Sequence, residues 1–331
     1  MPATYKDIQR MTGFSLSTIS KFFNGSNVRP ATKLAIEAAA AQLDFRVNDF
    51  ARGLRSRKSM AVGLLVPRLN TTFAAIIMRR VGHFLRLRGY SSIICDSDAD
   101  RATERDAVNF LIDKMVDGII SIPFDASGLQ YEPARARGVP VVLMDRVTTD
   151  FEADAVVIDN YAAGGIAAQH LLSRGHTSAA IICGPSGVYT MDLRKKGFSD
   201  AFLQRDGAVV REAETFFSID GGYTAAKQLL ESRGGVTAMF CANYELTLGA
   251  ISAMNELGVM YPAFVSLIGF DNLELTGILR PALTIIEQPI EQLARSAVNQ
   301  LLKRLEADEG EYETIMLDAT LAGGKSVADL S

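Results

Sequence analysis

Cysteine is scarce in this 331-residue chain: Cys95, Cys183 and Cys241 are widely spaced and odd in number. Each closes an apolar, strand-like run. That placement points to small buried side chains in a reducing compartment and away from a disulfide framework. Histidine is equally rare, with His83, His170 and His176. No two stand at i, i+4, the spacing that sets two metal ligands on one helix face, so no metal is expected. "HLLSRGH" puts His170 on a helix and His176 just past its end, where both read as solvent-facing or capping. No apolar run approaches the roughly 20 residues that span a bilayer. The opening "MPATYKDIQR" has no basic stretch leading into an apolar one, so no secretory signal is read and a cytoplasmic location is expected. "GPSGVY" lacks the third glycine of a dinucleotide fingerprint. No Ser-His-Asp arrangement stands in the local sequence. These absences argue against an enzyme and against a cofactor.

What is present is ordinary globular composition, 48% hydrophobic and 22% charged, at a length that suits two or three domains. The charge is unevenly placed. Residues 1–59 hold ten Lys/Arg and four Asp/Glu, a net +6, which leaves −10 for the rest of a chain whose total is −4. A basic head on an acidic body suggests that the head meets a polyanion and the body does not. The bland alternative is a solvated face.

The head carries a helix-turn-helix pattern. Thr4 with Asp7 three residues on marks a helix start, and Tyr5, Ile8 and Met11 recur at helical spacing until Thr12-Gly13 ends the run. Ser15 is a good N-cap for a second helix, whose apolar face is Ile19, Phe22 and Phe23 and which Asn24-Gly25 stops. A third helix after Pro30 would close the core with Leu34, Ala38, Ala41 and Leu43. Leu16, Ser17, Ser20 and Lys21 fall away from the packed stripe of the second helix. Short hydroxyls donate to phosphates, and lysine donates to the guanine edge. Residues 47–59, "VNDFARGLRSRKS", are basic with one leucine. They read either as a flexible linker or as a segment that orders on DNA, with Leu54 as a minor-groove wedge.

Residues 4–59 resemble the DNA-binding head of the lactose-repressor (LacI/GalR) family of transcription regulators. The resemblance rests on "DI" at 7–8, "GFSLSTISKFFNG" at 13–25, "AIEAAAAQLDFRVN" at 35–48 and "FARGLRSRKS" at 50–59. It implies that the second helix enters the major groove, that Leu16, Ser17 and Lys21 dominate base choice, and that Leu54 pries open a central base step. The expected DNA-facing set is Thr4, Ser15, Leu16, Ser17, Thr18, Ser20, Lys21, Asn24, Asn48, Leu54 and Arg55. Gln9 stands where the family usually has alanine.

From Met60 onward, short apolar strands ("MAVGLLVP", "SSIIC", "GIISIPF", "VPVVLMD", "AVVIDN") alternate with helical stretches such as 73–88 and 101–115. The second half repeats the scheme with "SAAIIC", a helix at 192–205, "AMFCA", a helix at 243–257 and "VSLIGFD". Strands without alternation read as parallel and covered on both faces. The βα rhythm implies doubly wound sheets, and the length suggests two, with ligands outside the carboxyl ends of the strands. Polar residues stand there: Arg68, Thr72 and Phe73 after the first strand, then Asp145-Arg146, Asp159, Arg194, Asn243 and Asp271. Asp159 or Asn243 alone reads as a helix cap; together the group suggests a cleft for a polar small molecule.

This region also resembles the family, in "AVGLLVP", "VVIDNYAAGGIAAQHLLSRGH", "DLRKKGF", "SIDGGYTAAKQLL", "LIGFD" and "LTIIEQP". The resemblance implies two subdomains joined by three crossovers, similar to periplasmic sugar-binding proteins, with an effector between them. By position its contacts fall on Thr72, Phe73, Arg146, Arg194, Phe217, Asn243, Asp271 and Gln288. Tyr244 stands where the family usually has an acid, which suggests a different effector.

The expected fold is a small all-α helix-turn-helix head plus an α/β two-subdomain periplasmic-binding-protein-like domain with parallel doubly wound sheets. The expected divisions are a head at 1–46, a hinge at 47–59 and an effector and dimerisation domain at 60–331. Within the last, one subdomain takes about 60–159 and 290–317, the other about 160–287 and 318–331. One short recognition helix covers a half-site, so a homodimer on pseudo-palindromic double-stranded DNA is expected, with no membrane partner. No leucine heptad marks a tetramerising helix. The expected function is an effector-controlled repressor. Arg194 and Asp271 suit a sugar, and Arg68 with Arg146 hint at a sugar acid or phosphate. A protein corepressor and a purine-type ligand are the alternatives. A sugar-binding transport protein is disfavoured by the basic head.

Overall fold

The computed structural model describes residues 3–23, 27–45, 58–232, 235–271, 278–306 and 310–331. The chain divides into two compact units, Met1–Met60 and Ala61–Ser331.

In the first unit, α1 (Tyr5–Thr12), α2 (Leu16–Phe23) and α3 (Pro30–Gln42) surround a core of Ile8, Ile19, Ile36 and Ala39. The Asp7 carboxylate accepts the Thr4 N–H at 2.8 Å and the Thr4 hydroxyl at 2.7 Å, which satisfies an amide left open at the helix start. Gly13, at φ 73°, ends α1 in the left-handed region that glycine adopts without strain. The three isoleucines are fully buried, each stabilising by roughly 1.5–3 kcal/mol. Tyr5, Phe23 and Phe45 pack around them with ring centroids 5.1–5.5 Å apart.

Two expectations for this unit fail. Met11 is 44% exposed, so the inner face of α1 is Tyr5 and Ile8. Of the expected α3 stripe Leu43 alone packs inward: Leu34 is 68% exposed, and Ala38 and Ala41 are exposed too. The packed residues are Ile36, Ala39, Ala40 and Leu43. A run of four alanines gives little contrast between faces, and Ile36, meeting Ile8 and Ile19, sets the rotation. Asn24, Asn48, Leu54, Arg55 and residues 46–57 of the linker region lie outside the described residues.

The second unit holds two six-stranded sheets. The first contains β1 (Ala61–Val66), β2 (Ser91–Asp96), β3 (Gly118–Ser121), β4 (Val141–Met144), β5 (Asp154–Ile158) and β11 (Thr314–Leu317), in the order β11-β5-β4-β3-β1-β2, all parallel. The second contains β6 (Ser178–Cys183), β7 (Val209–Glu214), β8 (Ala238–Cys241), β9 (Ser266–Phe270), β10 (Thr284–Glu287) and β12 (Thr320–Ala322). Its order is β12-β10-β9-β8-β6-β7, with β12 alone antiparallel. Among the described residues eight further α-helices connect the strands: α4 (Thr72–Leu87), α5 (Arg101–Asp113), α6 (Glu132–Ala136), α7 (Asn160–Ser173), α8 (Tyr189–Phe202), α9 (Ile219–Glu231), α10 (Tyr244–Leu257) and α11 (Ile290–Leu305). The chain passes between the lobes three times, after β5, after β10 and between β11 and β12, because α11 packs on β3, β4 and β5 of the first sheet.

The inner strands are buried along their length because both faces carry helices. The edge strand β2, "SSIIC", departs from the covered strand expected there: it has no buried residue, and Cys95 is half-buried. An edge strand has a neighbour on one side only. Strand β7, at the edge of the second sheet, carries Arg211, Glu212 and Glu214 among its six residues and so shows no apolar run. The helix expected at 192–205 spans Tyr189–Phe202. His176 is 1% exposed, with Nδ1 2.9 Å from the Thr237 hydroxyl, rather than solvent-facing. Burial lowers its pKa below the ordinary histidine value.

Candidate functional site

A cavity of about 520 Å³ lies between the lobes, lined from the carboxyl ends of strands in both sheets. Its volume suits a small organic ligand. Seven of the eight expected contact residues line it: Phe73, Arg146, Arg194, Phe217, Asn243, Asp271 and Gln288.

Asp271 follows β9 and is 4% exposed. Its φ of 76° is unusual for a residue with a Cβ, and it turns the carboxylate off the strand end toward the cleft. Gln288 Nε2 donates to Asp271 Oδ1 at 2.5 Å. Burial pushes the carboxyl up to about 6, against the opposing pull of the Arg194 charge and the Gln288 hydrogen bond. Arg194 is 3% exposed on α8. Its Nε donates to Asn160 Oδ1 at 2.8 Å and its Nη1 to the Ala242 carbonyl at 2.7 Å, while the guanidinium lies 3.6 Å above the Phe270 ring. Burial lowers its pKa to about 10, with Asp271 and Asp145 opposing the fall, so it stays charged at neutral pH. Arg194 is therefore held rigidly from one side, with its Nη2 making no hydrogen bond to a described residue.

Arg146 is partly committed elsewhere. It lies 3.4 Å from Asp145 and donates from Nη1 to the carbonyls of Pro123 and Phe124, both at 3.2 Å. Phe217 sits over Gly184, where a Cβ would come within 2.3 Å of its ring. Asn243 both caps α10, accepting the Leu246 N–H at 2.9 Å, and lines the cavity. Asp159 caps α7 and does not line it.

Thr72 is the exception. Thr71, the N-cap of α4, lines the cavity instead, and Thr72 directs its backbone N–H to Glu245 Oε1 at 3.2 Å. Tyr244 also falls outside the lining, 3% exposed, with its hydroxyl making no hydrogen bond among the described residues. The next residue, Glu245, faces the cleft. No sequence signal marked it, because the start of α10 alone decides which of two adjacent side chains turns inward.

On the head, Leu16 is 38% exposed, Ser17 and Lys21 are exposed, and Thr18 and Ser20 are half-buried. Ser15 is exposed but engaged. Its Oγ accepts the Thr18 N–H at 3.2 Å and lies 2.8 and 2.9 Å from the Ser17 and Thr18 hydroxyls. Thr4 is likewise engaged with Asp7. The exposed face of α2 thus presents Leu16, Ser17 and Lys21, with the Ser17 hydroxyl turned to Ser15. Among the described residues no cluster of three metal-ligating side chains occurs, and no helix is long and apolar enough to cross a membrane.

Residues 168–327 match the family model for a periplasmic binding protein-like domain. The chain is 32% identical to the HTH-type transcriptional repressor PurR of Pectobacterium atrosepticum, over 99% of this chain and 97% of that protein. It is 30% identical to the ribose operon repressor of Haemophilus influenzae, over 99% of each. The fold of the lac repressor dimer bound to operator and an anti-inducer superposes with a TM-score of 0.88 at 24% identity, over 99% of this chain and all of that one. The chain belongs to the lactose-repressor (LacI/GalR) family of transcription regulators. It is a ligand-controlled, DNA-binding repressor and not an enzyme.

Proposed function

We propose that this protein represses transcription in the cytoplasm as a homodimer on a pseudo-palindromic operator, and that a neutral sugar bound in the cleft sets its operator affinity. The buried Asp271–Gln288 pair facing Arg194 carries the sugar reading. A carboxylate acceptor, an arginine donor and a Gln288 Oε1 buried without a hydrogen-bond partner among the described residues match the paired donors and acceptors of vicinal hydroxyls. Phe73 and Phe217 supply apolar faces. The lining holds four carboxylates (Asp125, Asp145, Glu245, Asp271) and three guanidiniums (Arg68, Arg146, Arg194). Arg146 is ion-paired and Arg68 is exposed. That balance weighs against the sugar acid or phosphate that the two arginines suggested from sequence. A purine is the second reading, favoured by the same aromatic rings and by the resemblance to purine-type repressors.

For DNA, Leu16, Ser17 and Lys21 on α2 would read base edges, while Ser15, Thr18, Ser20 and Thr4 would hold the helix and reach phosphates. Asn24, Asn48, Leu54 and Arg55 keep the roles that the resemblance implies. The domain divisions expected from sequence form part of this reading.

The test is operator binding by the full chain, measured with and without a panel of sugars, sugar phosphates and purines whose binding is followed by calorimetry. A free sugar should give heat and change operator affinity. Arg194→Ala should abolish that response and leave effector-free operator binding intact. Lys21→Ala should weaken specific binding by roughly 1–3 kcal/mol and spare nonspecific binding. Purine heat alone selects the second reading, and no heat with any ligand selects a protein corepressor.

A further inference from the structure

The amino end of α4 opens on the cleft. Its first turn contains no acid, although an acid there would complement the positive end of the helix dipole. Thr72 is the first residue of that helix, so its N–H has no partner within it. The missing negative charge comes from the other lobe: Glu245, in the first turn of α10, accepts this N–H through Oε1 at 3.2 Å. Asn243 Nδ2 donates to Oε2 of the same carboxylate at 3.0 Å and so sets its direction. One carboxylate therefore ties β8's exit to α4 across the cavity, with both of its oxygens engaged.

We propose that Glu245 determines the charge of the effector: it occupies the α4 amino end as the cleft's own anion and so excludes ligands bearing a carboxylate or phosphate. This rests on the reading that the cleft holds the effector. The amino end of a helix facing a cavity is otherwise a ready seat for such an anion. Here an anionic ligand must displace Glu245 from Thr72 or lie beside it, with Asp271 and Asp145 also in the lining. A neutral sugar meets neither obstacle. The bridge also joins the two lobes across the cavity.

Two variants of the full chain separate charge from bridging. Glu245→Gln keeps an oxygen able to accept from Thr72 and removes the charge; Glu245→Ala removes both. The probes are D-ribose, D-glucose and D-fructose, each paired with its own phosphate, by calorimetry. Amide exchange of the peptide containing Thr72 is followed in the unliganded protein. The native chain should prefer a free sugar to its phosphate. Glu245→Gln should narrow that preference by about tenfold, the scale of one unit charge removed from a partly solvated site. Glu245→Ala should narrow it likewise and speed Thr72 exchange several-fold. A sugar that binds the native chain with its preference over the phosphate unchanged in both variants overturns the proposal, as does Thr72 exchange unchanged in Glu245→Ala. Absence of binding by every probe to all three proteins sinks the sugar reading of the cleft itself, a result distinct from either.

Discussion

Asp271 and Arg194 are each almost completely buried, and burial acts on them in opposite directions, up to about 6 for the acid and down to about 10 for the base. The raised carboxyl has a consequence for stability. Its folded value lies above the ordinary 3.8, so between those values the folded state binds more protons than the unfolded. The resulting stabilisation is complete below about 3.8 and is lost as pH rises through about 6. His176 works in the other sense, since a lowered base is lost as a stabilising neutral group when pH falls. Comparison with Asp271→Asn cancels every such group but one. The stability difference between variant and native chain should move in the variant's favour from pH 5 to pH 7.5, measured by thermal unfolding without ligand. A difference independent of pH would reject the assignment. At this scale the sequence located most of the cleft, because polar residues just past apolar strands must face the carboxyl edge of a parallel sheet. It pointed to Thr72 where Thr71 lines the cavity, and it gave no sign of Glu245, because which neighbour turns inward depends on where each helix begins.

Helix α8 carries Arg194 and lies against α7 with almost no side chain between them. A Cβ on Gly164 would stand 2.1 Å from the Arg194 carbonyl oxygen, and one on Gly197 1.9 Å from that of Tyr161. The two glycines allow the backbones to approach closely, which lets Arg194 reach Asn160 on α7. Gly197→Ala should therefore cost about 1–3 kcal/mol or more in denaturant unfolding, because the clash is with backbone that cannot rotate away. It should also weaken effector binding, by moving Arg194. An alanine variant of ordinary stability and affinity would show that the helices separate freely. "YAAGGIAA" and "RKKGF" display these glycines openly, yet nothing local says that they face each other. The α3 stripe teaches the same lesson from the other side. A helix was expected and formed, but its rotation was set by Ile8 and Ile19 from elsewhere in the chain.

For the whole molecule, the reading of a dimer on a two-fold operator needs a surface where two copies meet. The edge strand β2 is a candidate, with Ile94 47% exposed on it and Leu87 68%, Phe110 45% and Met115 55% exposed on or just after the helices packed beside it. An apolar surface at the edge of a sheet in a folded protein calls for a cover. Ile94→Asp should shift the protein toward monomer in sedimentation and weaken operator binding, while leaving effector binding within about twofold. A stable dimer in that variant would place the interface elsewhere. The sequence by itself determined the βα rhythm, the parallel sheets, the basic helical head and the free face of α2, since periodicity, capping residues and charge are local and survive without a fold. Only the tertiary structure decided that Glu245 and not Tyr244 faces the cleft, that Arg146 is engaged by Asp145, and that Ile36 turns inward. The first depends on Thr72 and Glu245, 173 residues apart, meeting at 3.2 Å, the second on the Pro123 and Phe124 carbonyls that hold the guanidinium beside Asp145, and the third on the isoleucines of two other helices, and no local pattern encodes such meetings.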